Sequence, residues 1–510
     1  MSKKLLHSTA IVGVMTMISR ILGLVRDRVI AEYFGAGVGA DAFFVAFKIP
    51  NFLRRLFAEG AFSQAFVPIL SEYRTKRSHD ETHQLINSVA GTLGLVVTII
   101  TVLGVLAAPL LISIFAPGFI EDEAKFDLTV SLLRITFPYI LFISLTALAG
   151  GVLNTYRHFA GPAFTPVFLN ICIISASIWL APQLEEPIKA LAWGVFFGGI
   201  VQLLFQFPFL MKLKLFPRPS LKKTDEGVRR ILKLMGPAIF GVSVSQINLL
   251  FDTLIASFLI TGSVSWLYYA DRMLEFPLGV FGIALGVVIL PSLSEKHAEG
   301  SKEHFSKMLD WALRWVFVIG TPAALGLAFL AEPMLSTLFQ YGEFSAQDVE
   351  FSSKALVAYS FGLLGFTLIK VLAPGYYSRQ DIKTPVRIGI IAMIANMIFN
   401  VILVFPFAHA GLALATSLSA FLNAGLLYRG LRQQDVYHPE AGWIKLLFKI
   451  GMAGLAMALI LWFNVPELGQ WEGWSGLERT AQLAKWIAIG GGVYVGLLFI
   501  LGVRWRDMNL

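Results

Sequence analysis

A single cysteine, Cys172, in a chain of 510 residues excludes a disulfide framework and a cysteine-based metal centre. Charge is also scarce. Asp, Glu, Lys and Arg make up 15% of the chain, against 56% hydrophobic residues. A soluble protein of this size needs far more polar surface, so the composition describes a polytopic membrane protein. Alternating strands of about ten residues are absent, which excludes an outer-membrane barrel and leaves an all-α fold. Enzyme signatures are missing too: there is no HExxH, no GxxxxGK[ST] and no aspartate-rich DDxxD motif, and the eight histidines are scattered.

What is present is a series of apolar runs with polar or Pro/Gly punctuation, enough for about 14 transmembrane helices. Connections alternate in charge along the chain. One set is basic, as in YRTKRSH at 73 to 79, MKLKLFPRPSLKK at 211 to 223 and YYSRQDIKTPVR at 376 to 387. The other is neutral or acidic, as in FIEDEAKFD at 119 to 127, PQLEEP at 182 to 187 and YGEFSAQDVE at 341 to 350. Lysine and arginine accumulate on the cytoplasmic side, so both termini are expected there and the protein in the cytoplasmic membrane. The start, MSKKLLHSTAIVGVMTMISR, has no clear small-residue cleavage site and is expected to stay as a first helix. The net charge of +8 would suggest nucleic acid in a soluble domain. Here the cations lie between or inside spans, which points to topology and an anionic ligand, with no nucleic-acid partner expected.

A weak internal repeat recurs at an offset of about 220 residues. VPILSEY at 67 to 73 resembles LPSLSEK at 290 to 296, and LNTYRHFAGPAFTP at 153 to 166 resembles APGYYSRQDIKTP at 373 to 385. The offset holds an even number of spans, so the expected fold is two six-helix lobes related by a pseudo-two-fold along the membrane normal. The expected division is an N-lobe over 1–220, a C-lobe over 221–440 and two further helices over 441–510.

The costly residues concentrate between Ser19 and Glu59. Ser19, Arg20, Arg26, Asp27, Asp41, Lys48, Asn51, Arg54, Arg55 and Glu59 all fall in segments otherwise apolar enough for lipid. Each charge at a bilayer centre costs roughly 2.5 to 3.5 kcal/mol, so such groups face one another, other helices or water. On the first helix Thr16, Arg20, Gly23 and Asp27 share a face, with Arg26 off it; the plainer reading pairs Arg20 with Asp27 and lets Arg26 and Arg28 reach an interface. On the second, Asp41, Lys48, Asn51 and Arg55 align, but Pro50 disturbs the phase, so counting leaves open which of Arg54 and Arg55 turns inward. Later, SWLYYADRMLEFP at 265 to 277 puts Asp271, Arg272 and Glu275 within one turn. Arginine forks suit phosphate and stay charged in a poorly hydrated cavity, the logic of a site for an anionic amphiphile. Asp252, Asn396, Asn400 and Thr416 form a second set. Their oxygens suit a hard cation such as Na⁺, and equally suit hydrogen bonding between helices.

The segments SRILGLVRD at 19 to 27, ADAFFVAFKIPNFLRRLFAEGAFSQAFVPILSEY at 40 to 73, SVSWLYYADRMLEFPLGVFGIALGVVILPSLS at 263 to 294 and KVLAPGYYSRQDIKTPV at 370 to 386 closely resemble the MurJ (MviN) family. These are bacterial lipid II flippases, within the superfamily of multidrug antiporters and polysaccharide flippases. The resemblance implies a cationic cavity open alternately to each side, and a groove on the last two helices for a polyprenyl tail. It implies that Arg20, Arg26, Arg54 and Arg272 bind the headgroup and diphosphate, and that Asp27 and Asp41 are functional acids. Ser19, Asn51, Glu59, Asp271, Glu275 and Lys370 would line the cavity. It also favours Arg54 over Arg55, and likens Asp252, Asn396, Asn400 and Thr416 to a sodium site. The expectation is a non-enzymatic, monomeric flippase of lipid II with no cofactor beyond a Na⁺ coupling ion. The alternatives are a flippase for another polyprenyl-linked glycan, a multidrug antiporter, or a membrane glycosyltransferase relying on loop acids such as Glu343 or Asp348.

Overall fold

The computed structural model describes residues 3–221 and 226–503; the side chains of 3–11, 57–59, 240–242, 244–245 and 280–288 are outside that description. The described residues are overwhelmingly helical, with no strand. They form two compact units, 1–262 and 263–510. The basic linker near 220 therefore does not mark the division between compact units: the helix that follows it goes with the first, and the last two long helices go with the second.

In the first unit, α1 (Lys3–Phe34) turns at Gly35 into α2 (Val38–Leu53), which runs through a π-helical stretch, Arg54–Phe62, into α3 (Ser63–Lys76). Then come α4 (His79–Leu106), α5 (Ala108–Phe115), α6 (Glu123–Thr136), α7 (Tyr139–Thr155), α8 (Ala160–Phe164), α9 (Pro166–Ser175), α10 (Lys189–Lys212) and α11 (Glu226–Ala256). Phe66, Leu85, Ile86, Leu153, Leu210 and Ile231 make a core in which α11 meets α3, α4, α7 and α10. In the second unit, α12 (Ser263–Ala298), α13 (Lys302–Phe329), α14 (Ala331–Phe339), α15 (Ala346–Leu372) and α16 (Pro374–Tyr377) precede the 51-residue α17 (Lys383–Gln433). The chain ends in α18 (Trp443–Asn464), the short α19 (Leu468–Glu472) and α20 (Gly476–Ile500).

Local chemistry explains many of the boundaries. Ser78, Ser345 and Ser475 each close a capping box with the acid three residues on, Glu81, Asp348 and Glu478, so that α4, α15 and α20 start with satisfied amides. The repeat is written in the helix ends. Arg157 and Lys214 after α7 and α10, and Gln380 and Asp435 after α16 and α17, all take positive φ. In each case the next amide donates five residues back: His158 to Leu153, Leu215 to Leu210, Asp381 to Tyr376, Val436 to Leu431. This is the left-handed close that ends a helix and satisfies its last carbonyls.

Among the described residues nine segments are long and apolar enough to cross a membrane, covering α4, α6–α7, α8–α9, α10, α13, α15–α16, α17, α18 and α20. One of them, α17, is a folded pair. Ala408 sits at φ 47°, ψ −129°, and beyond it Gly411 lies so close to the Leu403 carbonyl that a Cβ would collide. The two arms are joined by Asn396, which reaches Thr416 and Ser419.

Candidate functional site

The first unit holds the densest set of charges. Arg26 donates from Nε and Nη2 to Asp27 Oδ1 at 2.9 and 2.6 Å, and from Nη1 to Asn170 Oδ1 at 3.0 Å. Asn170, on α9, also donates from Nδ2 to the Ser19 carbonyl at 3.1 Å. One amide thus fastens two turns of α1 while orienting the guanidinium. Asp27 is buried and Arg26 nearly so, with 2% and 13% of their side chains accessible. The sequence alternative of Arg20 with Asp27 is not what forms: Asp27 takes its neighbour Arg26, and Arg20 is exposed.

On α2 and the π stretch, Arg54 donates from Nε to Asn51 Oδ1 at 2.8 Å, and Arg55 reaches Gln246 Oε1 of α11 at 3.4 Å. Both arginines are half-buried. The wider i to i+5 turn that begins at Arg54 breaks the phase of a helical wheel, so adjacent arginines find different partners. The Glu59 side chain lies outside the described residues.

Asp41 occupies a different environment. Its Oδ2 accepts from Lys125 Nζ at 3.1 Å and from the Gly262 amide at 2.8 Å, and only 1% of it is accessible. Lys125 in turn lies 4.2 Å from the centroid of the Phe119 ring and 3.4 Å from Thr261 Oγ1. This is a closely packed junction of α2, α6 and the segment after α11, and it holds the acid that the resemblance implies is functional. Reading the loop FIEDEAKFD only as acidic hid Lys125. Its one legible signal is a lone cation among acids.

In the second unit, Arg272 donates to Glu275 Oε2 at 2.6 Å and lies 4.9 Å from the centroid of the Tyr268 ring. The face of Tyr268 thus holds the cation. Asp271 is half-buried beside them, and Lys370 on α15 is exposed. Asn396 donates to Thr416 Oγ1 at 3.3 Å and accepts from Asn400 Nδ2 at 3.0 Å. As arranged, these amides tie the two arms of α17. Asp252, the charged member of that set, belongs to the first unit. No group of three or more His, Cys, Asp or Glu able to hold a metal occurs among the described residues.

A charged, hydrogen-bonded arginine set inside apolar helices needs a relative to give it a substrate class. The family profile described as lipid II flippase MurJ matches residues 30–480. The chain belongs to the MurJ family. It is 53% identical to a probable lipid II flippase MurJ of Vibrio cholerae, over 100% of this chain and 98% of that protein. It is 44% identical to the lipid II flippase MurJ of Burkholderia cenocepacia, over 96% of each. A solved lipid II flippase MurJ in an inward closed conformation superposes with a TM-score of 0.81 at 30% identity, covering 98% of this chain and 99% of that one. An inward-facing MATE multidrug transporter of the MOP superfamily shares the fold alone, at a TM-score of 0.67 and 14% identity over 84% of this chain and 98% of that one.

Proposed function

We infer that this protein is a lipid II flippase, carrying the polyprenyl-diphosphate-linked peptidoglycan precursor from the cytoplasmic to the periplasmic leaflet by alternating access. The observation that carries the reading is an arginine set held by Asn170, Asp27 and Asn51 in a chain of the MurJ family. Arg20 is exposed and Arg26 and Arg54 are pre-oriented, so the first unit offers forked donors for a diphosphate; Arg272 offers the same from the second. Asp27 and Glu275 offset these cations until an anionic headgroup takes their place. In the same reading the charged helices α1, α2–α3, α11 and α12 also cross the membrane, both termini are cytoplasmic, the protein acts as a monomer without catalysing a reaction, and α18 with α20 forms the groove for the lipid tail. Na⁺ as coupling ion belongs to the same reading, through the resemblance of Asp252, Asn396, Asn400 and Thr416 to the family's sodium-site residues. Membrane potential is a further drive, at about 2.3 kcal/mol per charge per 100 mV.

The test is rescue of cells depleted of their own flippase. Arg20→Ala, Arg26→Ala, Arg54→Ala and Arg272→Ala are each expected to accumulate in the membrane yet fail to expose labelled lipid II on the outer leaflet, read by an impermeant probe. Normal exposure by all four at normal protein levels would sink the arginine assignment.

A further inference from the structure

The last two long helices are pinned at both ends by buried polar hubs. Where α18 begins, Asp310 of α13 is 2% accessible. Its Oδ1 accepts from Tyr437 Oη at 2.7 Å, Trp443 Nε1 at 2.6 Å and the Glu440 amide at 3.1 Å, while Oδ2 accepts from Arg314 Nε at 2.7 Å. Arg314 also donates to the Ala441 carbonyl at 3.1 Å. Burial and the bond to Asp310 push the Tyr437 hydroxyl well above its ordinary pKa, so it remains a donor. Where α20 begins, Arg479 is 8% accessible. Its hydrogen bonds go to four main-chain carbonyls: Ser336 at 3.3 Å, Gln340 at 3.0 Å, Glu472 at 3.1 Å and Trp474 at 3.0 Å. Two of those carbonyls close α14, and two belong to the stretch from α19 to α20. Between the hubs, Tyr494 donates to the Val318 carbonyl at 2.9 Å.

A buried arginine spent wholly on carbonyls, and a buried carboxylate with four donors, are costly when broken, because what remains is an unpaired charge or orphaned carbonyls. Helix packing of apolar surface alone tolerates small slides, whereas these bonds fix height and rotation at both ends. We propose that Asp310 and Arg479 are positioning residues that hold α18 and α20 in register on α13 and α14, and so set selectivity for the long polyprenyl tail of the substrate. This rests on the tail-groove part of the proposed function.

The experiment uses the full chain in vesicles and compares lipid II carrying its natural long tail with an analogue that has the same headgroup and a short prenyl chain. The unaltered protein is expected to favour the long tail. Arg479→Gln and Asp310→Asn are expected to raise KM for the long-tailed substrate about tenfold while leaving transport of the short-tailed analogue unchanged, with Arg479→Lys, which keeps three donors, restoring part of the preference. Gly454→Val, which pushes α18 off Leu325 and Thr321 without touching either hub, is expected to show the same tail-selective loss and stands in if a hub variant fails to fold. Equal loss on both substrates, or none on either, overturns the proposal. Unaltered protein that moves both tails alike overturns it as well, and unaltered protein that moves neither refutes the flippase reading itself.

Discussion

At the scale of single residues, two acids only fourteen positions apart in sequence have different surroundings because of what reaches them. Asp27 meets Arg26, whose guanidinium is shared with an amide and keeps 13% of its surface accessible. Asp41 meets an ammonium that is itself buried, plus a main-chain amide, in a junction with almost no access. The first pair keeps some access at its guanidinium, while the second is closed in by the groups it bonds. Removing one member of a buried pair leaves the other uncompensated, at a cost of roughly 3 to 5 kcal/mol, whereas replacing both with apolar groups is often near neutral. Asp41→Leu alone is therefore expected to lower the thermal midpoint of the purified protein sharply, and Asp41→Leu with Lys125→Met to recover most of it. A double variant as unstable as the single one would show that Lys125 is not the partner that matters. The costly residues of α1 and α2 were legible in the sequence from their price in lipid. Asn170, Lys125, Gln246 and Tyr268 were not, since nothing in a lone amide, cation or ring announces a partner more than eighty residues away or on the next turn.

At the scale of elements, periodicity served wherever the helix kept its period. The reversal of α17 falls at FPFAHAG, where Pro406 and Gly411 punctuate the apolar run, and the capping boxes of α4, α15 and α20 stand in the sequence as Ser-x-x-Glu or Ser-x-x-Asp. The choice between Arg54 and Arg55 was unreadable for a physical reason: a π-helical stretch has a different pitch, and both side chains find partners. Backbone strain is likewise silent in sequence. Ala408 holds φ 47° and ψ −129°, a region that suits glycine, at a cost on the order of 1 to 3 kcal/mol. Ala408→Gly should stabilise the reversal of α17, raising the thermal midpoint without altering transport. A lowered midpoint would mean that the arms, through Asn396, Thr416 and the close pass at Gly411, already absorb the strain and that added chain entropy dominates.

At the scale of the whole molecule, the repeat and the compact units divide the chain differently. By sequence, α11 opens the second half, as α1 opens the first, and each is followed by a glycine at positive φ, Gly35 and Gly262. By packing, α11 belongs to the first unit. Arg230 pairs with Glu72 at 2.9 Å, Gln246 meets Arg55, and Ser257 Oγ accepts from the Gly118 amide at 3.0 Å, where the backbones are so close that a Cβ on Gly118 would collide. The linker is strapped down as well, with the Ser220 amide on the Asn87 carbonyl and His83 on the Phe216 carbonyl. None of this is legible in the sequence, because the hydropathy of α11 would be the same in either unit. A fragment of residues 1–262 keeps α11 over Ile231 and its core neighbours and keeps Lys125 and the Gly262 amide on Asp41. A fragment of residues 1–221 uncovers that surface and leaves Asp41 without the Gly262 amide. Expressed alone in membranes, the longer fragment should accumulate as a protease-resistant body and the shorter one should be degraded. Equal persistence of the two would return the structural boundary to the linker near residue 220, where the repeat alone puts it.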